Sequence, residues 1–305
     1  MEFVVMDHGI PERMQEWVAA LDIAALPVLP RLATELADLK AREDRITTQH
    51  VANVVLHDPI MTVKVLHYLR QHRTRRQSQD ITTIANALMM LGLSPFFSHF
   101  SEQPTLADRL VGKGLALEGA LSVARRARRA ALYARDWARQ RFDVNPEEIM
   151  VAALLHDLAE IMVWCYAPEL ALEMRNRQRR DRTLRSESVQ LRVLGFRLID
   201  LQLELVRAWD LPGLLRTLLD EHHAASPRVV NVALAAALAR HASNGWDDNA
   251  LPQDYRALCR FLNRPYRAVM QRVLEVTGES GSETEWYDVP EEGAEPPQDE
   301  ETPVS

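Results

Sequence analysis

The chain has 305 residues, 47% hydrophobic and 26% charged, with only 11 glycines and 16 prolines; this excludes a disordered or collagen-like polymer and disfavours a turn-rich β fold. Two cysteines, Cys165 and Cys259, are too few for a disulfide framework or a cysteine zinc site and suit a reducing compartment. The net charge is −7, but ten of the 43 acids follow Val276, where there is no Lys or Arg, leaving 33 acids against 36 bases in residues 1–275.

Apolar periodicity predicts helix after helix. Pro27 to Leu39 places Leu29, Leu32, Leu36 and Leu39 on one face. Thr47 or Thr48 caps a helix carrying Val51, Val54 and Val55, which stops before Asp58-Pro59; the next helix starts at that proline and runs through Val63, Leu66 and Leu69. Ile81 to Leu91 follows, with Gly92 as its C-cap. A long helix covers Leu115 to Arg141, with a buried stripe of Ala120, Val123, Ala127, Ala130, Ala134 and Trp137. Asn145-Pro146-Glu147-Glu148 opens a helix through Met150, Leu154 and Leu155. Further helices fit 168–179, 187–194, 197–209, 212–222, 227–241, 252–262 and 265–276. There is no hairpin signal and no internal repeat, so the fold class is all-α.

The expected organisation is a lead-in over residues 1–14, a main domain over 15–245, a helical extension over 246–276 and a disordered acidic tail over 277–305. The tail combines one charge sign with Gly278, Gly281, Pro290, Pro296, Pro297 and Pro303, too little apolar content to offset ordering. It serves solubility or lies across the basic surface of its own body. Met1 to Arg13 holds Glu2, Asp7 and Glu12 and does not read as a secretory signal, and the longest uncharged apolar stretch, Val229 to Ala239, is about half a membrane span. A soluble, cytoplasmic protein without membrane contact is expected.

Chemistry is sought first at Leu154-Leu155-His156-Asp157-Leu158, since adjacent imidazole and carboxylate suit a divalent first-row metal. Around it stand Trp209-Asp210-Leu211-Pro212 and Glu221-His222-His223. With Leu26-Pro27-Val28-Leu29-Pro30, His57-Asp58-Pro59 and the stretch Ile81 to Gly92, these motifs resemble, in order and spacing over residues 15–245, the HDOD domain. The resemblance implies a compact all-α bundle derived from the HD metal-dependent phosphohydrolases, whose members serve bacterial signalling or regulation, commonly without demonstrated catalysis.

An active HD site would need an earlier histidine within the Arg125–Arg129 run and a late aspartate on the 227–241 helix. No histidine lies between His99 and His156, and no carboxylate between Glu221 and Asp247. Ala159 and Glu160 replace the glycine and lysine that often follow the pair in active relatives, and Leu198 stands at a family histidine position. The catalytic site is therefore expected to be lost, with no catalytic residue and no cofactor. His156, Asp157, His222 and His223 remain as a vestigial metal set; otherwise His222 and His223 are a buried, hydrogen-bonded pair, or part of a pocket without metal.

Arginines give a second signal. Arg125, Arg126, Arg128 and Arg129 on the long helix are candidates for anion or phosphate binding. Further clusters are Arg175, Arg177, Arg179, Arg180, Arg182 and Arg185, and Arg70, Arg73, Arg75 and Arg76, the last replacing the family's Ala-Asn-Ser turn. The expected function is a non-catalytic bacterial signalling or regulatory module acting through protein partners, with helix faces and Phe96, Phe97 and Phe100 as candidate contacts. The alternatives are a metal-dependent phosphohydrolase or phosphodiesterase with an atypical site, and a nucleotide or nucleic-acid binder using the arginine helix.

Overall fold

In the computed structural model, residues 14–72, 81–181, 183–223 and 225–281 are described. Every regular element among them is helical, apart from a lone bridge between Val28 and Thr105. The acidic tail beyond Gly281, the lead-in before Met14, Arg73, Arg75, Arg76 and Arg182 lie outside the described residues.

Helices Pro30–Ala41, Thr48–Val55, Pro59–Gln71, Ile84–Leu91 and Leu93–Phe100 form the N-terminal part. Asp58 starts the third of these: its carboxylate accepts the N–H groups of Ile60 and Met61 at 2.7 and 3.0 Å and that of Leu29 at 2.6 Å. One buried side chain thus caps a helix and pins the preceding extended strip. The first helix begins at Pro30 rather than Pro27, because Leu26–Leu29 stays extended and Val28 exchanges hydrogen bonds with Pro104 and Leu106. Phe96, Phe97 and Phe100 are at most 2% exposed, so they are core rather than partner contacts.

The long helix, Gly114–Gln140, is the axis of the rest. Its stripe from Ala120 to Trp137 is buried as the periodicity predicts, and the small alanines let Pro146–Leu155, Leu158–Tyr166 and Pro227–Ser243 approach closely. Gly119 lies directly beneath the Trp164 ring. By length and composition, the run Pro146–Tyr166 could cross a membrane, but 83% of that window is packed inside the fold and the chain breaks at His156-Asp157.

The two parts are tied together. Trp209 Nε1 donates to the Leu21 carbonyl at 3.2 Å, His67 Nδ1 meets the Trp209 carbonyl at 2.6 Å, and Arg70 pairs with Asp210 at 3.1 Å. Of the two last helices, Leu251–Leu262 packs on Pro227–Ser243, and Tyr266–Gly281 packs on both Leu251–Leu262 and the far half of the long helix. The last one runs past Val276, because the Thr277 hydroxyl donates to the Val273 carbonyl and meets the Tyr133 hydroxyl.

Candidate functional site

His156 ends the helix Pro146–Leu155 and Asp157 begins Leu158–Tyr166, so the pair stands at a backbone break that turns both side chains toward neighbouring helices. Gln202, on the Leu198–Ala208 helix, supports the break by accepting the Ala159 N–H at 2.8 Å.

Four charged groups converge there. From the long helix, Arg126 donates through Nε to Asp157 Oδ2 at 2.8 Å and through Nη2 to Glu160. From Pro227–Ser243, Arg240 donates through Nη2 to Asp157 Oδ1 at 2.9 Å. His156 Nδ1 lies 2.9 Å from the same oxygen. Two guanidinium groups face two carboxylates, so the cluster is charge-balanced. Asp157 is 8% exposed and Arg126 13%. Burial opposes ionisation of Asp157, but the Arg126 and Arg240 charges outweigh it and hold the carboxyl well below the usual range. Burial likewise works against the Arg126 charge, and Glu160 and Asp157 reverse that and raise its pKa.

This donor set does not fit the divalent metal that the resemblance noted in the sequence implies. A metal ligand needs a free lone pair, and both Asp157 oxygens are engaged by cations whose charge a metal would have to displace. Arg126 and Arg240 occupy the two stretches where the earlier histidine and the late aspartate would stand. Among the described residues, no group of three or more His, Cys, Asp or Glu side chains is placed to hold a metal.

His222 and His223 do not join this cluster. They are exposed, with side chains 84% and 55% accessible, and turn back onto Asp220 at 2.8 and 3.3 Å. The expectation of a buried pair fails because Asp220 ends the Gly213–Leu219 helix and binds the His222 N–H, making a surface turn with its own partner. The four candidate phosphate-binding arginines are divided as well. Arg126 belongs to the ion cluster, Arg128 is 6% exposed, and Arg125 and Arg129 are half-buried. They do not form one open basic face.

A cleft beside the cluster is lined by His156, Asp157, Glu160, Ser186, Glu187 and Arg240. About 70 Å³ of it is open to water-sized occupants, room for a few waters. Sequence reasoning missed Glu160 and Arg240 as members of the cluster. The available signal was an arginine in each stretch where a metal ligand was lacking.

A family model of the HDOD domain matches residues 26–225. The solved structure of a virulence factor from Campylobacter jejuni subsp. jejuni superposes with a TM-score of 0.61 at 17% identity, covering 88% of this chain and 100% of that one. The MmoQ response regulator from Methylococcus capsulatus str. Bath superposes with a TM-score of 0.56 at 17% identity, covering 78% of this chain and 98% of that one. At these identities the likeness is one of fold. No curated protein matches the sequence.

Proposed function

The chain belongs to the HDOD domain family, and from that premise we propose that it is a non-catalytic signalling or regulatory module of the bacterial cytoplasm, acting through protein partners. One observation carries the reading: Asp157, the carboxylate a hydrolytic metal would need, is neutralised by Arg126 and Arg240. Metal-dependent hydrolysis requires a cation with an open coordination position to polarise the phosphoryl group or activate water. A guanidinium has no such position. Its role here is to tie three helical segments together at the point where active relatives do chemistry.

A signalling role accords with the name response regulator carried by the Methylococcus structure. Action through protein partners accords with a surface that keeps large apolar side chains exposed. Phe142 and Val144 are 93% and 101% exposed just past the long helix, and Phe142 holds a left-handed backbone, φ 56°. Arg141 stacks over Phe261 at 4.5 Å, bringing this turn against the end of the Leu251–Leu262 helix.

The test is hydrolysis of p-nitrophenyl phosphate and a cyclic dinucleotide with added manganese or iron. The wild-type chain and Asp157→Ala are expected to show the same background rate. A wild-type rate that Asp157→Ala abolishes would refute the proposal.

A further inference from the structure

The final helix, Tyr266–Gly281, buries one face and leaves another bare. Val269, Val273 and Val276 are at most 2% exposed and fill the seam with the long helix, where Arg272 donates through Nε to Asp136 at 3.0 Å. On a neighbouring face Tyr266, Met270 and Leu274 recur every four residues and form one row along the helix. They are 42%, 36% and 52% exposed, and no other helix among the described residues keeps three large apolar side chains uncovered in a row. Single apolar side chains on a surface are ordinary, whereas a row of them on one helix face marks a contact.

The polar residues beside the row identify what covers it. Arg267, Gln271 and Glu275 form a second row, one residue further round the helix. Arg267 is exposed and makes no ion pair among the described residues. Glu275, 46% exposed, meets Arg272 at 2.9 Å and accepts from Gln271 at 3.0 Å. The second row is thus basic at its start, neutral at its middle and acidic toward its end. Such a pattern complements itself when reversed. A two-fold axis through the middle of the helix sets Arg267 of each copy against Glu275 of the other. The same operation lays Tyr266 on Leu274 and Met270 on its own counterpart, apolar on apolar. An anionic surface would gain from Arg267 and lose at Glu275.

We propose that the final helix is a homodimer contact, in which two copies pack antiparallel through Tyr266, Met270 and Leu274 with reciprocal Arg267–Glu275 pairs. The size of the contact sets its strength. A standard interface buries about 800 Å² per partner, and one helix face covers roughly half of that. The dimer is therefore reversible, with a dissociation constant on the order of 10–100 μM. The contact makes a second copy of the chain one of its partners and does not depend on the state of Asp157.

Sedimentation equilibrium of the full-length chain at low salt reads this contact. The mass is expected to rise with concentration from 34.7 kDa toward twice that value. Met270→Ser with Leu274→Ser should weaken association at least about tenfold. Arg267→Glu and Glu275→Arg should each weaken it about tenfold, because like charges then face each other across the axis. An equimolar mixture of those two chains should associate as tightly as the wild type. All four positions are exposed, so the variants should keep the wild-type thermal midpoint and test the contact without challenging the fold. A wild type that stays monomeric up to about 0.5 mM would overturn the proposal. So would a dimer that survives Met270→Ser with Leu274→Ser, or a mixture no tighter than either charge variant alone. A monomer that uses the apolar row to sediment with phosphatidylglycerol vesicles would overturn it too, giving the face to a membrane.

Discussion

Asp157 and Asp58 are two buried carboxylates with opposite electrostatic fates. Asp157 is held ionised by two arginines, so removing a cation strands it. Arg126→Leu leaves Asp157 and Glu160 without their shared buried partner and is expected to cost about 3–5 kcal/mol in urea denaturation. Arg240→Ala, whose side chain is 34% exposed, is expected to cost no more than about 1 kcal/mol; equal losses would show that the cluster is not organised around Arg126. Asp58 has no arginine, and burial pushes its pKa up to about 6 against the pull of the Leu29, Met61 and Ile60 N–H groups and the Lys64 charge. Its folded value lies above its unfolded one, so its stabilising contribution is complete below about pH 4 and is lost as pH rises through 6. Asp58→Asn cannot titrate and turns an amide toward the Leu29 N–H. The variant should be less stable throughout, and the wild-type advantage should narrow between pH 4 and 7. An advantage that widens over that interval would contradict the sign. For Asp157 the sense is reversed: its contribution is present above the unfolded value and is lost on acidification.

At the level of elements, the helix starts were the most legible feature, because Asp58-Pro59 and Asn145-Pro146 combine a polar residue with proline where an unpaired N–H would otherwise stand. The long helix was legible from its alanine stripe. Less so were the short Leu106–Arg109 turn and the restart at Leu93, where Gly92, at φ 82°, ends one helix and opens the next without an intervening loop. Nothing local signals that Gly119 must be glycine. A Cβ there would lie 2.6 Å from three Trp164 ring carbons, and Trp164, 4% exposed, has nowhere to retreat. Gly→Ala in an open helix gains about 0.5–1 kcal/mol; here overpacking dominates, and Gly119→Ala is expected to lose about 2 kcal/mol net in thermal or chemical denaturation. A neutral or stabilising effect would show that the ring can move.

For the whole molecule, the all-α class and the HDOD family were legible because both rest on short-range patterns repeated along the chain. The candidate site was half legible. His156-Asp157 announces itself as a dipeptide, whereas the meeting of Arg126 with Arg240 depends on how distant helices cross. His222 and His223 misled for the opposite reason: their partner, Asp220, is local, and nothing in their spacing distinguishes a surface turn from a buried pair. The resulting molecule has the HDOD fold and surrounds Asp157 with its own cations, Arg126 and Arg240. Metal analysis of protein purified without chelator, after growth with added manganese and iron, tests this arrangement most sharply. The expected result is no metal above background in either the wild type or Asp157→Ala. Stoichiometric metal in the wild type that disappears in Asp157→Ala would mean that the arginines yield to a cation and that the chain retains a working HD centre.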